Sequence, residues 1–223
     1  MNPLRAAAAA FSLCLILVGA GADEVLRGRF LIDLEPVSAM RPGDPYPLDA
    51  DTAGLLALEE AARCFAGMIY GWSFDYEPSD RARGVEDRFA MDARGEIPFG
   101  DPRLTATDAE NVPSALAVWI EYRLDELQKR SWAAGREGSA RNTQGIGYGR
   151  LADGPKGKAA ALDDAAREAV RGLLRGSERN KPKEARGYVM LMDTPRYWTD
   201  EGRFVAAARF RVVVTEIVPY RFF

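Results

Sequence analysis

Carboxylates are the side chains best suited to chemistry in this chain, because its 223 residues include no histidine. The absence of histidine removes Ser-His-Asp and Cys-His nucleophilic catalysis, histidine-ligated zinc and histidine-ligated haem. Acidic residues are frequent over residues 75–110, and two carboxylates at a suitable separation can hydrolyse a glycosidic bond. Arginines are interleaved with these acids, which is typical of a solvated loop surface. One hypothesis is therefore a carboxylate-based enzyme that acts on a glycan, although the sequence selects no particular pair.

Aromatic side chains near this acidic stretch indicate a binding surface. Trp72 and Tyr76 alternate along a strand-like segment and could stack on a sugar ring. Asp101 and Arg103 lie in a polar segment, residues 95–113, which is rich in proline and predicts a loop. We expect these four residues to contribute to a binding surface, with an envelope protein or a glycan as the partner.

A pattern that starts at Asp49 resembles a calcium-binding loop. Gly54 occupies its sixth position and Glu60 its twelfth, and this spacing wraps oxygen ligands around one ion. The fifth position supplies no side-chain oxygen, and the proline-rich residues before Asp49 cannot form an entering helix. The alternative is that Asp51 caps a helix and Asp49 is a solvated loop residue. A calcium-stabilised adhesion-type module, with Asp49, Asp51 and Glu60 as ligands, is a further hypothesis; no other metal site and no cofactor is predicted.

A glycine-rich stretch, residues 144–150, looks like a phosphate-binding loop but lacks its context. A dinucleotide loop must follow a strand directly and open a helix, whereas polar residues precede this stretch and a further flexible sequence follows it. Residues 154–158 contain a Gly-Lys pair without the Ser or Thr of a nucleotide-triphosphate loop. Because Gly, Arg and Ser are abundant throughout residues 129–158, we predict a flexible linker there.

Apolar periodicity predicts two helices and several strands. In the first helix, residues 52–70, apolar side chains recur at spacings of three and four, and Gly71 ends it. Residues 115–124 fit either a strand or a helix, and their aromatic and β-branched composition favours a strand. The remaining predicted elements are strands at 25–34, 72–76, 85–91, 188–192 and 204–217, a second helix at 159–174, and a turn at 199–202 between the last two strands.

The two helices carry nearly the same residues. Residues 57–63 read Ala-Leu-Glu-Glu-Ala-Ala-Arg, and residues 161–167 read Ala-Leu-Asp-Asp-Ala-Ala-Arg. Strands follow each helix in similar order, which predicts a duplicated helix–strand–strand unit; the alternative is chance similarity between Ala-rich helices. The predicted fold class is α+β, a mostly antiparallel sheet with two amphipathic helices on one face. The chain then divides into an N-terminal strand with a Pro-rich connector (23–50), a first α/β repeat (51–128), the linker (129–158) and a second α/β repeat (159–223).

The first 22 residues have the pattern of a cleavable signal peptide. Arg5 gives the start a positive charge, residues 6–18 are apolar, and Ala20 and Ala22 are small residues ahead of the acidic Asp23. The apolar stretch is shorter than the roughly 20 residues that a spanning helix needs, which disfavours a membrane anchor. We predict cleavage after Ala22, a periplasmic or secreted protein, and no transmembrane span in the mature chain.

Composition limits the partners of the mature chain. The net charge of −3 becomes −4 once Arg5 leaves with the signal peptide, and this acidic balance disfavours nucleic acid as a partner. Cys64 is the one cysteine left after cleavage, so an internal disulfide is not expected. Cys64 fits a small buried residue on a helix, with a reactive thiol or an intermolecular bridge as the alternative. These features together predict a non-catalytic, envelope-associated binding or assembly module, with the glycan enzyme and the calcium module as alternatives.

Overall fold

A computed structural model of the protein describes residues 24–35, 46–137, 140–177 and 181–220. The predicted signal peptide lies outside the described residues. The α+β class is confirmed, because the described residues form three α-helices and nine strands whose pairings are antiparallel. The helices are α1 Ala50–Ile69, α2 Glu126–Ala134 and α3 Pro155–Ser177. The strands are β1 Val25–Asp33, β2 Trp72–Glu77, β3 Arg88–Ala93, β4 Leu104–Val112, β5 Ala115–Arg123, β6 Arg141–Arg150, β7 Glu184–Leu191, β8 Arg196–Asp200 and β9 Arg203–Val218.

The strands form two sheets. The smaller has the order β1-β5-β4, and the larger has the order β3-β2-β7-β9-β6 with β8 also paired to β9. The prediction that residues 115–124 form a strand is confirmed, because β5 is the central strand of the smaller sheet. Its alternating Leu116, Val118, Ile120 and Tyr122 are all buried, as the aromatic and β-branched composition indicates.

Helices α1 and α3 lie on the same face of the larger sheet, which we call the inner face. Trp72 of β2 packs against Gly67 of α1, and Thr143 of β6 donates its hydroxyl to the Ala169 carbonyl of α3 at 3.3 Å. Strand register places these two side chains on one side of the sheet. Phe65 of α1 packs against Phe30 of β1 in the smaller sheet, and the two ring centroids are 5.8 Å apart. The prediction of two helices on one face is therefore confirmed.

The third helix, α2, was not predicted and lies against the opposite, outer face of the larger sheet. Gly135, directly after α2, sits so close to Met190 of β7 that a β-carbon at Gly135 would overlap the methionine side chain. Asp125 caps the start of α2 by accepting from the Leu127 and Gln128 amides, and Gln128 completes a capping box. None of the described helices is both long and apolar enough to cross a lipid bilayer.

The prediction of a flexible linker over residues 129–158 is wrong. The segment contains most of α2, the whole of β6 and the start of α3. Alternate residues of β6, Gly145, Gly147 and Gly149, face α3, and a β-carbon at any of them would overlap backbone atoms of the helix. Glycine is thus present in β6 because the backbones of strand and helix touch, and the sequence lacks the apolar alternation that normally marks a buried strand.

Residues 95–113 also contain regular structure where a loop was predicted. Strand β4 occupies residues 104–112 at the edge of the smaller sheet, and nearly all of its side chains are exposed or half-buried. An exposed edge strand needs no apolar face, so its polar sequence reads as a loop. The turn at 199–202 is confirmed at Glu201 and Gly202, whose positive φ angles of 45° and 73° suit a tight hairpin. It joins β9 to β8, a short exposed strand that the sequence pattern missed.

Candidate functional site

Two of the four predicted binding residues, Trp72 and Tyr76, belong to the core. Trp72 is 6% exposed and Tyr76 is 1% exposed. The Tyr76 hydroxyl donates to Asp87 Oδ1 at 3.0 Å, and burial together with this carboxylate holds the pKa of Tyr76 well above its usual value. Aromatic residues in an alternating segment are equally typical of a core strand, which explains the error in the predicted surface.

The other two predicted residues, Asp101 and Arg103, are brought together as an ion pair. Arg103 Nη2 lies 2.7 Å from Asp101 Oδ2, and Arg103 Nη1 lies 2.7 Å from Asp125 Oδ2. The Tyr122 hydroxyl donates to Asp101 at 3.1 Å. The Arg103 guanidinium lowers the pKa of Asp101 to about 2. Because Asp125 is also the N-cap of α2, the network anchors the start of α2 against β5.

The three candidate calcium ligands do not converge on one ion. Asp49 caps α1, accepting from the Thr52 amide at 2.7 Å, so Asp49 and not Asp51 is the N-cap. Asp51 is exposed on the first turn. Glu60 is paired with Lys158 at 2.6 Å. Among the residues that the structure describes, no group of three His, Cys, Asp or Glu side chains could hold a metal ion.

Four of the ten acidic residues over 75–110 lie in ion pairs with arginines of the described residues, and one of them is Asp80 with Arg83. Asp75 lies 2.9 Å from Arg186, and Asp87 lies 3.7 Å from Arg167. The Asp101–Arg103 pair completes the pattern. These contacts give Asp75, Asp87 and Asp101 structural roles.

A buried ion cluster, comprising Asp33, Glu60, Lys158 and Tyr197, joins four elements of the fold. The Lys158 ammonium donates to Glu60 Oε2 at 2.6 Å and to the Leu31 carbonyl at 2.9 Å. It also lies 4.6 Å from the centroid of the Tyr197 ring. The cluster lines a pocket of about 240 Å³ between β1, α1, α3 and β8. Burial raises the pKa of Glu60, and Lys158 opposes that rise.

Cys64 lines the same pocket, but its surroundings keep the thiol protonated and therefore unreactive. Its side chain is 1% exposed. Burial, and secondarily the nearby Glu60 carboxylate, raise the pKa of the Cys64 thiol far above its usual range. The thiolate is the nucleophilic form, so a raised pKa removes the reactive species at neutral pH.

We expect Cys64 to resist alkylation in the folded protein. Iodoacetamide at pH 8 should leave the peptide containing Cys64 unmodified in the native state and label it fully in denaturant, as read by mass spectrometry. Labelling of the native protein at the rate of a free cysteine would show that the pocket exposes a functional thiol.

A cavity of about 800 Å³ lies where β9 loses one of its neighbouring strands. Strand β6 pairs with β9 up to Arg141 opposite Val212, and β7 pairs with the other side of β9 from residue 210 to residue 218. Within the described residues no strand pairs with 213–218 on the side where β6 ends. The cavity, which we call the β9 cleft, is lined by Val213, Val214 and Ile217 along this free edge and by Val212 next to it.

The two faces of the sheet give the β9 cleft two different walls. On the inner face, Val212 and Val214 line it together with Leu173 of α3 and Ile69 of α1. On the outer face, Tyr188, Arg211 and the residues after α2 line it. Arg211 is 5% exposed and donates to the carbonyls of Arg136 and Glu137, which fixes the end of α2 over the sheet.

The β9 cleft is basic in a protein that is acidic overall. Arg94, Arg141 and Arg211 line it with one carboxylate, Glu137, whereas the whole chain has a net charge of −3. Arg94 stacks on the Tyr188 ring at 4.4 Å and donates to the Tyr70 carbonyl at 3.4 Å. Neither Arg94 nor Arg141 is ion-paired with a carboxylate within the described part of the chain. Guanidinium groups that line a cleft without a carboxylate partner favour an anionic ligand.

The functional residues that the sequence missed are Lys158, Arg94 and Arg141. Lys158 was placed in the supposed linker, and its partner Glu60 lies 98 residues away in the chain. Arg141 is followed by the polar stretch Asn-Thr-Gln, which forms the start of β6.

Comparison with known proteins gives a family but no activity. A protein-family model matches residues 20–220 of the chain. Over 162 residues the chain is 30% identical to a protein of Treponema pallidum (strain Nichols) that is named "Uncharacterized protein", an alignment covering 73% of this chain and 68% of the relative. No solved structure matches. The chain therefore belongs to an uncharacterized protein family, whose model spans residues 20–220, and the Treponema pallidum protein is one of its relatives.

Proposed function

We propose that the chain is an exported, non-catalytic module that binds an extended segment of a partner protein in the bacterial envelope. The observation that carries this proposal is the β9 cleft, a cavity of about 800 Å³ lined by an edge of β9 that pairs with no other strand among the described residues. An exposed edge presents free backbone N–H and C=O groups, and an extended peptide can add to it as a further strand.

The composition of the free edge supports strand addition. Residues 213–218 read Val-Val-Thr-Glu-Ile-Val, and five of the six are β-branched, the composition that fits best in a sheet. Edge strands of monomeric proteins usually carry charges or bulges that block pairing. Strand β4 shows that protection, with Asp108, Glu110 and a bulge between Ala106 and Asp108. The edge of β9 also has a bulge, at Thr215, but carries only one charged residue, Glu216.

A non-catalytic role agrees with the way the nucleophilic groups are held. The Lys158 ammonium is engaged by Glu60 and by the Leu31 carbonyl, and burial raises the pKa of the Cys64 thiol. An ammonium in an ion pair and a protonated thiol are poor nucleophiles. Their contacts instead hold α1 and α3 together beneath the sheet that presents the cleft.

Export follows from the N-terminal pattern and gives the proposal its location. Cleavage after Ala22 releases a chain that starts at Asp23 into the periplasm or the medium. N-terminal sequencing of the protein from the periplasmic fraction checks this directly. Recovery of the intact Met1 terminus from the cytoplasm would refute export.

The architecture also suggests that the module arose by duplication. One half of the chain contains β1 to β5 and the other contains β6 to β9. In each half the first strand pairs antiparallel with the last, β1 with β5 and β6 with β9. Each first strand is followed by the long helix of that half, α1 or α3. This common order, together with the similar residues 57–63 and 161–167, supports an internal repeat.

Strand addition is tested by titrating the isotope-labelled protein with a short neutral peptide that alternates valine and threonine. At about 1 mM peptide, a range where weak complexes form, we expect the backbone amide NMR signals of 213–218 to shift. The signals of β4 and β6, which are also edge strands, should stay in place.

A variant pair makes this titration specific. Ile217→Lys places a charge on the free edge, where it blocks strand pairing, and should abolish the shifts. Ile146→Lys is the matched control, because Ile146 is 44% exposed and Ile217 is 38% exposed, and it should leave the shifts unchanged. Equal shifts in all edge strands, or shifts that survive Ile217→Lys, would refute the proposed function.

A further inference from the structure

We propose that the segment bound in the β9 cleft alternates apolar and acidic side chains. The inference rests on the proposed function and names the chemistry of the partner at that site. It follows from the geometry of a strand, in which successive side chains point to opposite faces of the sheet. A segment added to the free edge of β9 would therefore place every second side chain against each wall of the cleft.

The inner wall requires apolar side chains. Val212 and Val214 pair with Val189 and Gly187 of β7, and these residues share the face covered by α1 and α3. Leu173 and Ile69 extend this face at the cleft. A charged side chain placed against Leu173 and Ile69 would lose its hydration without gaining a partner, which is costly.

The outer wall favours carboxylates. Arg211 pairs with Met190, and Val213 pairs with Tyr188, so these residues share the opposite face. Arg94 reaches that wall from the end of β3 and lies over Tyr188. Arg141 is not part of this wall, because it pairs with Val212 at the start of β6 and therefore lies on the inner face, at the end of the cleft. A partner with lysine or arginine in the outer positions would meet like charges there.

The unpaired edge distinguishes a peptide from other anions. An acidic glycan would satisfy the arginines but would leave the backbone groups of residues 213–218 without partners. An extended acidic peptide satisfies both sets of groups at once. The arginines and the edge together therefore select a protein segment.

The test compares three peptides that differ only in the residue alternating with valine: glutamate, threonine or lysine. Binding is followed through the amide NMR signals of 213–218 at low ionic strength. We expect the glutamate peptide to bind about tenfold more tightly than the lysine peptide, with the threonine peptide between them. Raising the salt concentration should reduce the difference, since the charges are partly exposed.

Arg94→Glu supplies the decisive variant, because Arg94 lies on the outer wall over Tyr188, is exposed, and its replacement should not disturb folding. In this variant the preference for the glutamate peptide should shrink or reverse, while the threonine peptide binds as before. Equal affinity for the glutamate and lysine peptides would overturn the inference and leave strand addition standing. If none of the three peptides shifts 213–218, the proposed function itself fails. Binding of an oligomer of galacturonic acid without shifts at 213–218 would assign the arginines to an anionic glycan instead.

Discussion

Gly147→Ala is expected to lower the free energy of unfolding by more than about 4 kcal/mol, enough to unfold many domains of this size. A β-carbon at Gly147 would overlap the backbone nitrogen of Ala165 and the carbonyl oxygen of Ala161, both in α3. Backbone atoms in the middle of a helix cannot move aside as a flexible side chain can. The helix would have to separate from β6 and β9, and the core between them would open.

The matched control for this change lies in the same helix. Gly172 is exposed on α3, and a β-carbon added there meets no atom within 4 Å. Gly172→Ala should therefore raise the free energy of unfolding by up to about 1 kcal/mol, because alanine favours the helix. Urea denaturation followed by circular dichroism measures both variants. Similar midpoints for Gly147→Ala and the unmodified protein would mean that β6 and α3 are not in backbone contact, and that residues 144–150 are the linker after all.

Lys158→Met is expected to lower the free energy of unfolding by about 3 kcal/mol at neutral pH. The side chains of Lys158 and Glu60 are 13% and 15% exposed, so removing the ammonium leaves a carboxylate that is poorly hydrated and without a partner. The Leu31 carbonyl loses its donor in the same step. Met has a length similar to that of Lys and makes no new polar contact, so the measured loss reports on the charge.

The pH dependence of this variant has a predictable sign. Burial raises the pKa of Glu60 above the ordinary glutamate value of 4.5, so the folded state binds this proton more tightly than the unfolded state does. The resulting stabilisation is fully present below pH 4.5 and is lost as pH rises through the folded-state pKa. Without Lys158 this pKa rises further, and the destabilisation of Lys158→Met should therefore be smaller at low pH than at neutral pH.

A double-mutant cycle completes the test of the ion pair. Glu60→Leu combined with Lys158→Met replaces both charges with apolar groups and should recover part of the loss caused by Lys158→Met alone. Asp33, whose pKa is also raised by burial, remains in the cluster and limits the recovery. A double variant whose loss equals the sum of the two single losses would show that Glu60 and Lys158 do not interact.

The elements that the sequence predicted are those whose burial depends on their own side chains. Helix α1 buries residues spaced by three and four along one side, and β5 buries alternate residues, so their periodicities are visible in the sequence. Strand β6 could not be found in this way, because its buried face consists of glycines that contact the α3 backbone. Strand β4 is mostly exposed and has no apolar face to detect.

The candidate sites depend on contacts between distant parts of the chain. Glu60 and Lys158 meet only after α1 and α3 have packed on the same face, and neither residue is marked by its neighbours in sequence. Strand β9 was predicted close to its observed bounds, but its free edge depends on where β6 ends, at Arg141 opposite Val212. Trp72 and Tyr76 were assigned to a surface because an alternating aromatic segment does not reveal which of its faces is buried.

The most direct test of the account is amide hydrogen exchange of residues 213–218 with and without the valine–glutamate peptide. We predict that about 1 mM peptide slows exchange in 213–218 by several-fold, since an added strand supplies hydrogen-bond acceptors to the free edge. Exchange in the edge strand β4 should not change. Unchanged exchange in 213–218, or equal slowing in β4, would contradict the claim that the β9 cleft binds a partner by strand addition.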